Sequence, residues 1–184
     1  MNFMEDKLID LAKSAGFTNA EWIDVSQIVC DRKFREQCAV NACGVYGKCW
    51  MCPPDIGEID ALIDEVKSYS RGLLYQSIFE LEDSFDFEGM VEGGRLQNVR
   101  SRALDKGLKE LGYKNYLHLS KGGCGHCSPC AKAKGEPCPF PEEALSSLEA
   151  YGINVSATVK GTSMKYINGV NTVTYFGIVL FRED

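Results

Sequence analysis

The sequence lacks most of the features that would assign it to a familiar class. No apolar run approaches the ~20 residues that a membrane-spanning helix requires. The opening stretch, Met-Asn-Phe-Met-Glu-Asp-Lys, is acidic and amphipathic, which is not the pattern of a secretory signal. Positive charge is not in excess: 20 Lys and Arg stand against 26 Asp and Glu, a formal net charge of −6. A phosphate backbone is gripped by a basic face, so this balance argues against a nucleic-acid partner. No phosphate loop and no nucleophile–base pair is evident, and "EGGRL" has glycines without the G-x-G-x-x-G spacing of a dinucleotide fingerprint. The cysteines do not form an even set either. There are nine, whereas a secreted disulfide framework normally has an even number. The expectation is a cytoplasmic protein, outside the membrane, whose reduced thiols bind metal or carry redox chemistry.

What is present is an ordinary globular composition. The chain has 184 residues, 45% hydrophobic and 25% charged, enough for a single domain that buries a core without crosslinks. Met4, Leu8, Leu11, Ala12 and Ala15 fall at helical spacing, with Gly16 placed to cap the helix. "AEWIDVSQIVC" reads as a strand, and residues 57–70 as an amphipathic helix. "RGLLYQSIFEL" is a second strand. The acidic stretch after it, from Glu80 to Glu88, reads as a solvated face or helix entry. Leu96 to Leu111 carries a helical apolar stripe, and "NYLHLS" is a short strand. Pro141 to Tyr151 reads as a short helix ended by Gly152, residues 156–166 as an exposed loop, and "NTVTYFGIVLF" as the last strand. The expected fold class is therefore α/β or α+β. One domain over 1–184 holds a central four- or five-stranded sheet flanked by helices, and two cysteine-rich metal-binding loops, at about 38–55 and 122–141, meet at one end.

The second loop reads C-x2-C-x2-C-x7-C-P, from Cys124, Cys127, Cys130 and Cys138. Its first three cysteines have the compact spacing of a bacterial ferredoxin run, where thiolates converge on one four-iron, four-sulfur (4Fe-4S) cluster. A ferredoxin has three residues before its last cysteine and this chain has seven, which weakens the match. Glycines at 122, 123 and 125 allow a close backbone approach, and amide N–H groups there can bond cluster sulfides. Zinc is the rival: it also takes four thiolates, usually as two separated C-x2-C knuckles, and His126 can replace one of them. The first region reads C-x4-C-x5-C-x2-C-P-P, from Cys38, Cys43, Cys49 and Cys52. It is the candidate for a second metal site, with Tyr46 and Trp50 as shielding or simply as core. Cys30 reads as a small buried hydrophobe.

Taken together, "C-x4-C-x2-Y-G-x2-W-x-C-P-P", the downstream C-x2-C-x2-C run, "C-P-F-P" and "S-x-E-A-Y-G-I-N-V" resemble the cysteine-rich family of predicted metal-binding proteins, domain-of-unknown-function family 2284. The resemblance runs from about Cys38 to Val155. That family's pattern has cysteines at the positions of Cys38, Cys43 and Cys52, and usually a small polar residue at that of Cys49. It implies metal binding and supplies no catalytic residues. Three functions remain open. The first is an iron–sulfur protein with one or two clusters in electron transfer or redox work, its acidic surface docking a basic redox partner protein. The second is a cluster-dependent enzyme, with His118 and His126 as candidates for proton transfer and 156–166 as a candidate lining. The third is a zinc-stabilised structural or regulatory module. A concave site beside the cluster separates an enzyme from a pure carrier.

Overall fold

The fold comes from a computed structural model, which describes residues 3–182 and side chains from Glu5 onward. Met4 of the first expected stripe therefore lies outside the described side chains. Helix α1 (Phe3–Ser14) leads into β1 (Asn19–Asp24), α2 (Lys33–Val40), α3 (Ile59–Lys67), β2 (Arg71–Glu80) and α4 (Phe87–Glu110). Strand β3 (Tyr116–Ser120), β4 (Ser146–Ser147), α5 (Val155–Thr158) and β5 (Thr172–Phe181) complete the chain. The five strands form one mixed sheet in the order β1-β2-β5-β3-β4, antiparallel except for the parallel β3–β4 pair.

Period-two alternation in the central strands sends side chains to two cores. Leu74, Ile178 and Leu180 face one side, packing with Leu62 and Val66 of α3 and with Leu148, Ile153 and Val159. Leu73, Tyr75, Val179 and Phe181 face the other, against Leu8 and Ala12 of α1 and Leu104 and Leu108 of α4. The expected α/β class with a five-stranded sheet between helices is what forms. Helix α1 lies close on α4: a side chain at Gly107 would reach within 2.8 Å of Leu11.

Several elements differ from expectation. β1 stops at Asp24, whose carboxylate caps a short 3₁₀ turn at Val25–Gln27 while Gln27 bonds back to the Asp24 N–H. Cys30 then makes only an isolated bridge to Ile153. Helix α4 starts well before Leu96, because Asp86 accepts from the Gly89 N–H and caps it there. The segment 141–152 is not a helix. Ser146–Ser147 adds to the sheet beside Leu119–Ser120, and a 3₁₀ turn at Glu149–Tyr151 ends at Gly152 with φ +77°. Residues 156–166 are partly structured rather than an exposed loop, with α5 and a further 3₁₀ turn at Val159–Gly161. Cys38 sits inside α2 and not in a loop. Among the described residues, no helix is long and apolar enough to cross a membrane.

Candidate metal centre

Strand β3 ends in buried Ser120 and delivers the chain into the second cysteine loop. Gly122 and Gly125 take φ values of +56° and +62°, which fold that loop back on itself. The loop is fastened to the first cysteine region from several directions. Trp50 Nε1 donates to the Glu136 carbonyl at 2.9 Å, and Ser146 Oγ donates to the Met51 carbonyl at 3.0 Å. The Lys132 ammonium pairs with Asp55 and lies 4.6 Å from the centre of the Trp50 ring.

Cys124, Cys127, Cys130 and Cys138 line a single cavity, and Cys49 from the first region joins them. Trp50, Met51 and Phe140 close it. His126 also lines it; its ring sits 4.2 Å from that of Phe140, and Nε2 is 3.1 Å from Glu143 but out of line for a hydrogen bond. All nine cysteines are unpaired. The Cys52 thiol donates to Cys49, and the backbone N–H groups of Cys124 and Met51 and the Cys130 thiol add further bonds; against burial, these draw the Cys49 pKa well below that of a free thiol. Cys52 is driven up, its proton held by Cys49 and its charge disfavoured by burial. Burial likewise raises Cys124. One thiolate is thus stabilised among several thiols.

The donor chemistry, sulfur on every side, suits a soft metal ion or an iron–sulfur cluster. The void itself is about 20 Å³, room for roughly one water. Among the described residues, no group of three or more His, Cys, Asp or Glu side chains is arranged to hold a metal ion as it stands. A metal bound there would displace thiol protons, and the cysteine side chains would have to rearrange around it.

The other three cysteines of the first region, Cys38, Cys43 and Cys52, line a different cavity of about 160 Å³, floored by the backbone of Gly122 and Gly123. Tyr46 packs there, while Trp50 belongs to the first cavity. The four cysteines Cys38, Cys43, Cys49 and Cys52 thus divide between two cavities that adjoin where Cys49 meets Cys52. Cys30 lies apart from both, half-buried near Lys67.

Residues 21–181 match the family described as predicted metal-binding protein, DUF2284. The chain belongs to that family. The match runs from within β1 to the end of β5 and takes in both cysteine regions. No curated protein and no solved structure matches the chain. For this DUF2284 protein, then, metal binding is the family's character, and neither a particular metal nor a reaction comes with it.

In this DUF2284 chain a buried polar chain runs from a third cavity, of about 390 Å³ and lined by Asp105, Tyr116 and His118, to the second cysteine loop. His118 Nδ1 lies 3.2 Å from Asp105 Oδ1, and its Nε2 lies 2.7 Å from the Tyr75 hydroxyl. The ionised Asp105 fixes the proton on Nδ1, so Nε2 accepts from Tyr75. The Tyr75 hydroxyl is 3.0 Å from Ser101 Oγ, which is 2.8 Å from Ser120 Oγ. Ser120 Oγ is 3.4 Å from Asn98 Oδ1, and Asn98 Nδ2 donates to the Gly123 carbonyl at 3.3 Å. Tyr75 on β2 reaches His118 on β3 only because Gly177 of the intervening β5 has no side chain. A Cβ there would lie 2.1 Å from the Tyr75 oxygen. His118 is thus buried and doubly engaged, away from the thiol cavity. Sequence reasoning missed Tyr75, Asn98, Ser101 and Asp105. The signal was there in α4: polar residues at i, i+3 and i+7 on the stripe that faces the sheet.

Proposed function

We propose that this protein carries a 4Fe-4S cluster on Cys124, Cys127, Cys130 and Cys138 and serves electron transfer or redox chemistry in the cytoplasm. The observation that carries the proposal is the convergence of those four cysteines, and of Cys49, on one cavity. A bound cluster supplies one-electron chemistry. The chain's own part is to ligate through thiolates, to limit water with Trp50 and Phe140, and to hold the loop rigid through Asn98. Arg102 adds a cation next to the loop, its guanidinium 3.4 Å from the Cys124 carbonyl. An acidic surface, from a formal charge of −6, favours a basic redox partner protein.

One observation favours a cluster-dependent enzyme as the second reading. A cavity of about 390 Å³, lined by Asp105, Lys109, Tyr116 and His118, shares Met51 and Ala144 with the thiol cavity. That volume suits a small organic substrate.

The test is an ultraviolet–visible spectrum with iron, sulfide and zinc analysis on anaerobically purified protein. Broad absorbance near ~400 nm with about four irons and four sulfides per centre supports the proposal. A colourless protein with stoichiometric zinc and no sulfide overturns it and leaves a zinc-stabilised module.

A further inference from the structure

At the end of the sheet where β3 begins, the chain builds a cavity of about 530 Å³ that the thiol chemistry does not use. Asp24, Arg71, Phe181 and Tyr116 stand in register there across β1, β2, β5 and β3. The second cysteine loop follows the opposite end of β3. Period-two alternation puts Trp22, Arg71 and Phe181 on the side of the sheet that α1 and α4 cover. The turn from α4 into β3 adds Tyr113 and Lys114 to the wall, and α1 adds Glu5.

Two properties meet in this lining. The first is aromatic. The Phe181 ring lies 5.5 Å from both Trp22 and Tyr113, a patch that offers π surface to a flat ligand. The second is charge. Among the described residues, three cations, Arg71, Lys114 and Arg182, line the cavity against one carboxylate, Glu5, in a chain whose formal charge is −6. Glu5 pairs with Arg71 at 2.7 Å, and the Arg71 guanidinium lies 4.2 Å from the centre of the Trp22 ring. Arg182 reaches the Tyr69 ring and the Ser68 hydroxyl, and neither it nor Lys114 pairs with a carboxylate among the described residues. Two of the lining cations are thus without a counter-charge.

We propose that this cavity binds a small aromatic anion, a planar ring carrying a carboxylate or phosphate group. The ring packs against Trp22, Tyr113 and Phe181, and the anionic group meets Arg182 and Lys114. A guanidinium matches either group with paired N–H donors, and an ammonium adds a point charge. The volume falls in the range of small-molecule sites. A neutral aromatic leaves both cations unmatched, and a bare anion leaves the rings uncovered, so the site selects molecules that carry both features. It is independent of the proposed cluster, because its lining shares no residue with the thiol cavity.

Titration calorimetry on the full-length protein tests this with adenosine monophosphate and naphthoate, which carry both features, and with adenosine and inorganic phosphate, which carry one each. Binding of either aromatic anion supports the site, and the tighter of the two tells a nucleotide from an aryl carboxylate. Adenosine and phosphate are expected to bind roughly tenfold more weakly or worse. Lys114→Gln and Arg182→Gln change exposed side chains, and each is expected to weaken the tighter probe roughly tenfold. The two tryptophans report where the probe sits. Trp22 lines this cavity, its indole N–H donating to the Glu5 carbonyl at 3.2 Å, and Trp50 lines the thiol cavity. On saturation the Trp22 indole N–H resonance should shift while that of Trp50 stays. Absence of saturable binding of both aromatic anions below about 1 mM overturns the proposal. Affinity for inorganic phosphate equal to that for the tighter probe, a shift of Trp50 alone, or unchanged affinity in the Lys114→Gln, Arg182→Gln double variant overturns it equally.

Discussion

The two thiol cavities are built in different ways. One takes four of its five cysteines from a single loop, and that loop hangs from β3 on a chain of buried hydrogen bonds. The other is assembled from a helix, from two turns after it, and from a 3₁₀ turn near residue 149. The first geometry is written largely in local spacing. The second exists only once α2 meets the turn after β4. The proposed cluster would organise the first by drawing one loop together.

The largest expected effect separates the two directly. Cys127→Ala should abolish the centre in the second loop while leaving the thiols around Cys43 as competent as before. Metal and sulfide analysis after anaerobic loading checks this. A changed alkylation rate of Cys43 in this variant would mean that the two cavities act as one site.

A smaller effect comes from the support beneath the loop. Gly177→Ala drives a methyl into the Tyr75 ring and breaks the Tyr75 route from β2 to His118 across β5. Overpacking of this kind costs about 1–3 kcal/mol, read as a lower denaturant midpoint. Because the chain of bonds ends at Gly123, metal retention in the second loop should fall with it. Wild-type stability in this variant would show that the Tyr75 ring moves aside freely, and that the chain does not hold the loop.

How far the sequence foretold these regions follows the same division. The long strands β2 and β5 announced themselves through β-branched and aromatic runs, and α3 and the second half of α4 through apolar stripes. The four cysteines of the second loop were visible as a compact run. Ser146–Ser147 was not visible as a strand, since serine has no strand preference; it pairs because the edge of β3 offers free backbone groups there. Glu149 was hidden in what reads as a helix, and Cys49 was grouped with its neighbours in sequence although its side chain turns into the other cavity. The polar face of α4 was passed over because its apolar stripe is sufficient to make a helix. Asn98, Ser101 and Asp105 acquire meaning only from Tyr75 and His118 opposite them.

Trp50 gives a subtler contrast. Its ring closes the first cavity, stacks under Lys132 and holds the Glu136 carbonyl, and it does not line the second cavity. Trp50→Ala removes one hydrogen bond of about 1 kcal/mol and admits water to the second loop. The expected result is faster loss of metal to a chelator from the Cys127 centre, with the alkylation rate of Cys43 unchanged. Faster alkylation of Cys43 as well would show that Trp50 braces the two regions together.

The smallest effect is a pH dependence that should loosen one region before the other. Burial lowers the His118 pKa from 6.5 and outweighs Asp105, which favours the charged ring. The groups around it are Asp105 and Lys109 on α4, Tyr116 on β3 and Tyr75 on β2. Burial tends to raise Asp105, but bonds from His118, Lys109 and Tyr116 hold it at about 2. Below pH 6.5 the unfolded chain takes up a proton on this histidine that the folded one refuses, so stability falls as pH falls through that value. The Asp105 contribution is present above its unfolded value of 3.8 and is lost only as pH falls towards 2. Between pH 8 and about 5, then, the histidine is the member of this network that acts. Denaturant midpoints of metal-free protein should decline across that range, and the decline should shrink in His118→Gln, which cannot titrate. Amide protection factors at Gly123 and Cys124, taken relative to the intrinsic exchange rate at each pH, should fall over the same range, because Asn98 ties them to the network, while that of Cys43 stays flat. Parallel changes at Cys43 would place the acid sensitivity outside the His118 chain and erase the distinction between the two regions.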